Sequence, residues 1–255
     1  MSWLQKSWKN YRRRLLPWIA FNVEGSSTRH ARHGDTLVAN QVAVNFLYRL
    51  FDDFHRRRNV ENDRSLRDLA GFSVARSRSG IVGAGRGVFV TRGYVREGAI
   101  AALYPGTVYR GSDPLFFQSL RNSFVLRCID GQCIDGRDSG LSRLIYRSCS
   151  NRDRVGHFRL SDLSWLTERP VNPLAVGQYV NNEPRPRMAN VAYQEVDIAD
   201  GALPVQLMQY VPNVPFSHSG EWSADPRSLR VVALVATRDV ECGAELFSNY
   251  FTLLH

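Results

Sequence analysis

Residues 229–250 read LRVVALVATRDVECGAELFSNY. Their first part, 229–236, is a largely apolar run of strand length, and a polar stretch follows it. Residues 243–250 then bring a glycine, an acidic residue, a Leu-Phe pair and a tyrosine in quick succession. The stretch predicts a buried β-strand that leads through a glycine turn into a short segment ending at Tyr250.

Glycine-bounded apolar runs of the same kind recur along the chain after Gly71. They predict further short strands at 87–90, 98–104, 123–129 and 191–196. Two stretches depart from this pattern, near 138–176 and 203–226. We expect irregular insertions there, because loops of that length inside a compact domain are usually functional or carry structure of their own. The sequence therefore predicts a mainly β domain over residues 71–255.

The chain before residue 71 has a helical pattern instead. Between residues 35 and 58 the apolar side chains follow the period of an α-helix, and Asp35 or Thr36 is suited to cap its start. These apolar residues are Leu37, Val44, Leu47, Tyr48, Phe51 and Phe54. Residues 59–67 are polar and predict a connection. We therefore expect residues 1–70 to form a basic, helical N-terminal appendage.

Residues 1–23 contain two lysines, three arginines and no acidic residue. Their tryptophans and leucines recur at roughly helical spacing. Three interpretations stay open: an Arg-rich organelle-targeting presequence, a segment that contacts an anionic membrane or nucleic acid, and an amphipathic helix packed on the domain. We expect an intracellular protein, and the pattern leaves a mitochondrial and a nuclear location equally open.

Composition narrows the class of protein. With 44% hydrophobic and 22% charged residues, the chain is typical of a globular protein. It has no apolar run of about 18 residues, so we expect no transmembrane segment. The net charge of +9 predicts attraction to nucleic acid, anionic lipid or acidic proteins. The four cysteines include no C-x-x-C pair, so we expect no metal site.

Two short motifs have both a structural and a functional interpretation. Gly85-Arg86-Gly87 precedes a predicted strand rather than a helix, which excludes a dinucleotide-binding fingerprint. It forms either a tight turn or a place where a ligand lies against bare backbone. Asn181-Asn182 is typical of a turn, yet its amides also suit a zwitterionic cofactor, because each offers a donor and an acceptor.

In their order along the chain, these motifs resemble the SET-domain family of methyltransferases. The resemblance rests on Gly85-Arg86-Gly87, Tyr104-Pro105-Gly106, Asn181-Asn182 and residues 245–250. More narrowly, residues 104–109, 176–182 and 245–250 look like the SET-domain-containing protein nine subfamily. It implies a SET β-clip domain of small curved sheets, behind the N-terminal helical segment. It also implies S-adenosyl-L-methionine as the cofactor and a protein lysine as the substrate.

The resemblance also implies a role for individual residues. The implied cofactor-binding residues are Gly85, Arg86, Gly87, Asn181, Asn182 and Tyr250. Tyr250 matches the tyrosine beside the transferred methyl group and is the implied catalytic residue. The implied walls of the substrate channel are Tyr104, Tyr179 and Phe247. Asn182 departs from the family pattern, which usually has a histidine at that position.

Such residues suit lysine methylation for a physical reason. The attacking lysine must be neutral, although its reference pKa is about 10.4. A narrow aromatic channel beside a positive sulfonium lowers that pKa, because both disfavour the ammonium form. The alternative function is a catalytically inactive SET-like binding module for an acidic protein or nucleic acid.

Overall fold

The computed structural model describes residues 36–59, 62–184, 188–217 and 228–249. Its helices are α1 (Asn40–Arg56), α2 (Asn62–Ala70), α3 (Phe116–Ser119), α4 (Gly140–Arg152) and α5 (Val205–Met208), with single 3-10 turns at Ser164–Leu166 and Gly177–Tyr179. Its strands are β1 (Phe72–Arg78), β2 (Arg86–Gly93), β3 (Ile100–Tyr104), β4 (Gly106–Tyr109), β5 (Val125–Arg127), β6 (Cys133–Asp135), β7 (Arg154–Val155), β8 (Phe158–Arg159), β9 (Asn181–Asn182), β10 (Val191–Ala199), β11 (Asn213–Pro215), β12 (Ser228–Ala236) and β13 (Phe247–Ser248). The basic segment 1–23, the end of the second insertion and Tyr250 lie outside the described residues.

The largest sheet has five strands in the order β3-β12-β10-β13-β9. Strand β12 pairs antiparallel with β10 along its whole length, from Ala236 opposite Val191 to Ser228 opposite Ala199. Its other edge pairs with β3. Residues 231–236 are all buried, and burial of both faces of a strand favours a continuous apolar run over an alternating one. The strand predicted at 229–236 is confirmed.

The C-terminal strand β13 lies between two strands that precede it in sequence. It pairs in parallel with β9 on one side, where Phe247 faces Asn181, and with β10 on the other, where Val191 faces Ser248. This topology brings residues 181–182 and 245–249 together, although more than sixty residues separate them.

Three smaller sheets complete the described β structure. They are the β1–β2 hairpin, a four-stranded sheet in the order β11-β4-β6-β5, and the β7–β8 hairpin. Each of the strands predicted at 87–90, 98–104, 123–129 and 191–196 overlaps an observed strand, and β2 and β10 are longer than predicted. The expected fold class, mainly β with small curved sheets and some helices, is confirmed.

Helix α1 buries one face against β10 and α5. Leu50, Phe51 and Phe54 on that face are fully buried and belong to the same apolar cluster as the central sheet. The ring of Tyr210 packs against Phe51 and Phe54, with centroid distances of 5.8 and 5.6 Å. The helix predicted over 35–58 is therefore observed, beginning at Asn40. The domain division at residue 70 stays a prediction.

Helix α2 corrects the sequence interpretation, which took residues 59–67 as a connection. Its sequence is polar, but Leu66 is fully buried and Asp63 forms an ion pair with Arg67 one turn later. The amide of Asn62 donates to the Val171 carbonyl at 2.7 Å. Gly71 ends the helix in the left-handed region, with φ +83° and its N–H bonded to the Arg67 carbonyl.

The two insertions contain regular structure as well as loops. Helix α4 and the β7–β8 hairpin lie in the first, and α5 and β11 lie in the described part of the second. Within the ranges that the structure describes, none of the helices combines the length and the apolar character needed to cross a membrane.

Candidate active site

The Glu245 carboxylate links three segments that are distant in sequence. Its side chain is buried, and Oε1 accepts hydrogen bonds from the Ser79 hydroxyl at 2.7 Å and from the Asn181 amide at 3.1 Å. Its Oε2 accepts from the Gly80 N–H at 2.9 Å. A buried carboxylate needs such donors because burial removes its water. Glu245 therefore holds the end of β1, the Asn181 strand and the C-terminal segment together.

Gly87 makes this close packing of strands sterically allowed. A Cβ placed on Gly87 would lie 2.1 Å from Glu245 Oε1, which no real side chain tolerates. The adjacent backbone is paired as well, since the Leu246 N–H donates to the Val88 carbonyl at 2.7 Å. Gly85 has a different requirement: its φ is +78°, a conformation that favours glycine. Glycine is therefore favoured at the two positions for different reasons: at Gly85 by the backbone conformation, and at Gly87 by the lack of space beside Glu245.

Asn181 connects the glycine turn to the Glu245 segment. Its amide nitrogen donates to the Arg86 carbonyl at 2.9 Å as well as to Glu245. Asn182 lies next in the same strand, opposite Ser248. The structure therefore brings together Arg86, Gly87, Asn181 and Asn182, as the resemblance implies. Their role in cofactor binding stays a prediction.

Asn190 is a site residue that was not singled out from the sequence. Its amide nitrogen donates to the Glu245 carbonyl at 2.9 Å, and its Oδ1 accepts from the Phe247 N–H at 2.8 Å. Its own N–H donates to the Phe247 carbonyl at 2.9 Å. Asn190 thus fixes the position of the C-terminal segment as that segment passes β10. An asparagine immediately before an alternating strand was the only sign of it in the sequence.

Tyr179 lies in a charged cluster at the surface of the site. Its hydroxyl donates to Asp138 at 2.5 Å, and the guanidinium carbons of Arg76 and Arg86 lie 5.3 and 5.8 Å from its ring centre. Burial, reinforced by the Asp138 carboxylate, raises the pKa of Tyr179 to about 12. Glu168 forms ion pairs with both arginines. Tyr179 therefore stays protonated at neutral pH.

The other two predicted channel residues have different surroundings. Tyr104 is buried, and its hydroxyl donates to the Phe124 carbonyl at 2.7 Å. Phe124 also packs edge-on against Tyr179, with centroids 6.4 Å apart, so it lies between the two tyrosines. Phe247 is held through its backbone by Asn190, and its ring contacts no other aromatic ring in the described ranges. The structure places Tyr104 and Tyr179 near each other but shows no such link to Phe247.

Tyr193 is a second residue that sequence reasoning missed. It projects from β10 at a half-buried position, and its ring meets that of Tyr104 edge-to-face at 6.1 Å. Burial alternates along β10, so Tyr193 lies on the same face of the strand as Glu195 and Asp197. Its position in an alternating strand was visible in the sequence, but its partner across the sheet was not.

Tyr250, the predicted catalytic residue, lies outside the described residues. The chain can be followed to Asn249, whose amide donates to Glu183 at 3.1 Å. The Glu183 N–H in turn donates to the Ser248 carbonyl at 2.9 Å. The residue before Tyr250 is therefore anchored beside the Asn181-Asn182 strand, and the catalytic role of Tyr250 stays a prediction.

One group of possible metal ligands lies elsewhere, formed by Cys128, Asp130 and Glu195. The guanidinium group of Arg230 pairs with Asp130 at 3.2 Å and with Glu195. Burial raises the pKa of the Cys128 thiol well above its ordinary value. The Arg230 guanidinium thus already provides a positive charge to these carboxylates, and the thiol is protonated. We therefore assign no metal to this group.

Comparison with known proteins identifies the family. No family model matches the chain. The chain is 38% identical to SET domain-containing protein 9 of Homo sapiens, over 98% of this chain and 97% of that protein. It is 48% identical to SET domain-containing protein 9 of Pongo abelii, over 88% of this chain and 79% of that protein.

Solved structures with some likeness to the chain are more distant. One is a ctPRC2 chain bound to S-adenosylmethionine, with a TM-score of 0.36, 13% identity and coverage of 73% of this chain and 16% of that one. Another is CpSET8 from Cryptosporidium, with a TM-score of 0.35, 12% identity and coverage of 96% and 94%. The weight therefore rests on the two sequence relatives, and the chain belongs to the SET domain-containing protein 9 family.

Proposed function

We propose that this protein transfers a methyl group from S-adenosylmethionine to a lysine side chain of a protein substrate. The observation that carries the proposal is the meeting of three distant segments at one edge of the central sheet. The glycine turn at 85–87, the Asn181 strand and the Glu245 segment are joined there by the Glu245 carboxylate and the Asn181 amide. These are the segments through which the chain resembles the SET-domain methyltransferases.

The residues at this edge fit the polar end of such a cofactor. An added Cβ at Gly85 would meet no heavy atom within 4 Å, so its backbone is open to a ligand. The Ser248 hydroxyl, opposite Asn182, is fully buried and has no hydrogen-bond partner among the described residues. Gly85, Arg86, Asn181 and Asn182 would hold the amino-acid end. The cofactor supplies a methyl group on a positively charged sulfur.

The aromatic residues nearby suit the substrate amine. The Tyr104 proton is used in the bond to the Phe124 carbonyl, so toward a lysine amine this hydroxyl acts as an acceptor. The ring of Tyr193 covers one side of Tyr104. Apolar rings disfavour the ammonium form of the lysine and so lower its pKa toward neutrality. Tyr250 completes this wall in our proposal and orients the amine through its hydroxyl.

Isothermal titration of the full-length protein with S-adenosylmethionine tests the cofactor assignment. We expect Asn181→Ala to weaken binding by about tenfold to a hundredfold, because a hydrogen bond to a charged group contributes about 1.5–3 kcal/mol. Asn151→Ala, on the exposed side of α4, is the matched control and should bind as the wild type does. Equal affinity of a folded Asn181→Ala variant would remove Asn181 from the site.

Transfer of a labelled methyl group to cell-extract proteins tests the reaction itself. Tyr250→Phe keeps the ring and removes only the hydroxyl, so we expect unchanged cofactor binding and a rate lower by about one to two orders of magnitude. Identical rates and products for this variant and the wild type would rule out a catalytic role for Tyr250. Cofactor binding without transfer by any protein would favour the inactive binding module.

A further inference from the structure

Five large apolar side chains are exposed on two helices and at the residue that follows the first of them. Phe116 and Phe117 of α3 and Leu120, which follows it, are 53%, 72% and 52% exposed. Leu141 and Leu144 of α4 are 47% and 62% exposed. Single exposed apolar residues are ordinary on a protein surface, but a cluster of large ones indicates an interaction site.

Hydrogen bonds tie the end of α3 to the segment that leads into α4. The Asn122 amide, just after α3, donates to Asp135 at 2.7 Å and to the Ser142 hydroxyl in the first turn of α4 at 3.4 Å. The Arg137 guanidinium donates to the Arg121 carbonyl at 3.5 Å. We call this surface the α3–α4 face and define it by residues 116–121 and 137–147.

The α3–α4 face is basic. Four of its side chains form no ion pair with a carboxylate in the described part of the chain: Arg121, Arg137, Arg143 and Arg147. Asp138 is the one acidic residue within the face, where it accepts from Tyr179, and the neighbouring Asp135 is buried against Asn122. The apolar side chains are therefore accompanied by an excess of positive charge.

The face is continuous with the proposed lysine site. Asp138 lies within it and binds the Tyr179 hydroxyl. Phe124 follows Asn122 by two residues and contacts both Tyr179, through its ring, and Tyr104, through its carbonyl. An occupant of the face thus lies next to the aromatic residues proposed to receive the lysine, which favours a polypeptide as the occupant.

We propose that the α3–α4 face docks a substrate segment in which acidic residues and large apolar side chains flank the target lysine. The charge of the segment complements the four arginines, and its apolar side chains cover those of α3 and α4. The inference rests on the proposed function and specifies its substrate class: a lysine in an acidic, amphipathic sequence.

Fluorescence anisotropy with labelled peptides tests this inference in the absence of cofactor. The probe is a lysine-centred peptide with Glu, Leu and Phe around the lysine, and the comparison peptide has every Glu replaced by Gln. We expect the acidic probe to bind about tenfold more tightly than the Gln peptide, and added salt to reduce that difference.

Paired variants locate the binding surface. Arg121→Glu combined with Arg147→Glu should weaken binding of the acidic probe by at least about tenfold. Phe117→Ser combined with Leu144→Ser should weaken it by about tenfold, because apolar anchors carry much of the affinity of an interface. The controls Arg49→Glu and Val42→Ser, exposed on α1, should bind within about twofold of the wild type.

Two outcomes of the binding experiments would overturn the inference. One is equal binding of the acidic probe by the wild type and both paired variants, with thermal melting showing that all are folded. The other is tighter binding of single-stranded RNA than of the probe, unaffected by Phe117→Ser with Leu144→Ser. Methylation of other lysine peptides, without binding of the acidic probe, would reject this substrate class and leave the proposed function intact. Probe binding without S-adenosylmethionine binding would reject the proposed function and leave the docking surface intact.

Discussion

Glu245 shows how one side chain can organise a site assembled from distant segments. Its two oxygens accept three hydrogen bonds, from Ser79, Gly80 and Asn181. Removing a donor from a buried carboxylate costs about 1–3 kcal/mol or more, because the group is left desolvated. The arrangement therefore depends on the space that Gly87 leaves for this carboxylate.

Gly87→Ala tests this dependence. The added methyl group would overlap Glu245 Oε1, so the carboxylate must move and lose hydrogen bonds. We expect urea denaturation to show a loss of stability of about 1–3 kcal/mol, accompanied by weaker S-adenosylmethionine binding. Gly111→Ala is the control, because an added Cβ there meets no heavy atom within 4 Å. Equal stability of the two variants would contradict the conclusion that Gly87 leaves necessary space for the Glu245 carboxylate.

Asp162 provides a pH-dependent prediction. It is buried, its Oδ1 accepts from the Ser164 N–H at 2.6 Å, and Oδ2 has no partner among the described residues. Burial raises its pKa from 3.8 to about 6. The folded protein therefore binds the proton more tightly than the unfolded chain, and stability falls as pH rises from about 4 to about 6.

Asp162→Asn should remove this penalty and still accept the Ser164 hydrogen bond. We expect the variant to be more stable than the wild type at pH 7 by about 1–3 kcal/mol, since each pKa unit corresponds to about 1.4 kcal/mol. The two proteins should have similar stability at pH 4. Urea denaturation at both pH values measures the difference, and a gain of the same size at each would refute the titration argument.

At the level of secondary structure, predictability followed the apolar pattern. Strand β12 was predicted to within one residue because 231–236 are buried throughout. Helix α2 was missed, because only Leu66 of its side chains is both apolar and fully buried. The burial of Leu66 and the bond from Asn62 to the Val171 carbonyl are tertiary contacts, and such contacts leave no periodic signal. The exposed Asp63–Arg67 pair within the helix contributes little.

The packing of helix α1 provides a test of the domain division expected at residue 70. Leu50 is fully buried in the apolar cluster shared with the central sheet, so Leu50→Ala should destabilise the protein by about 2–5 kcal/mol. Val42→Ala, on the exposed side of the same helix, should change stability by less than about 0.5 kcal/mol. Thermal unfolding should remain a single transition. A separate early transition for Leu50→Ala would instead mean that α1 folds independently of the β domain.

At the scale of the whole molecule, the order of segments in the sheet could not be read from local pattern. Residues 85–87, 181–182 and 245–250 were expected to meet because they resemble one family. The parallel insertion of β13 between β9 and β10 explains how residues 181–182 meet residues 247–248. Local periodicity reports which residues are buried, but not which strands are neighbours. The contacts of Glu245, Asn190 and Tyr193 depend on that register and were therefore not foreseen.

The net charge of +9 is also a property of the whole molecule, and residues 1–23 supply five of its positive charges without an acidic residue. We propose that this segment directs the protein to an organelle or an anionic surface, separately from the β domain. Deleting it should leave the thermal transition within a few degrees of the wild type, because in this proposal the segment acts separately from the β domain. The deletion should also abolish salt-sensitive binding to phosphatidylserine vesicles and change the cellular location of a fluorescent fusion.

Loss of cooperative unfolding would instead show that the segment is part of the core. Unchanged location and vesicle binding in a stable deletion variant would leave the α3–α4 face as the basic surface that contacts partners.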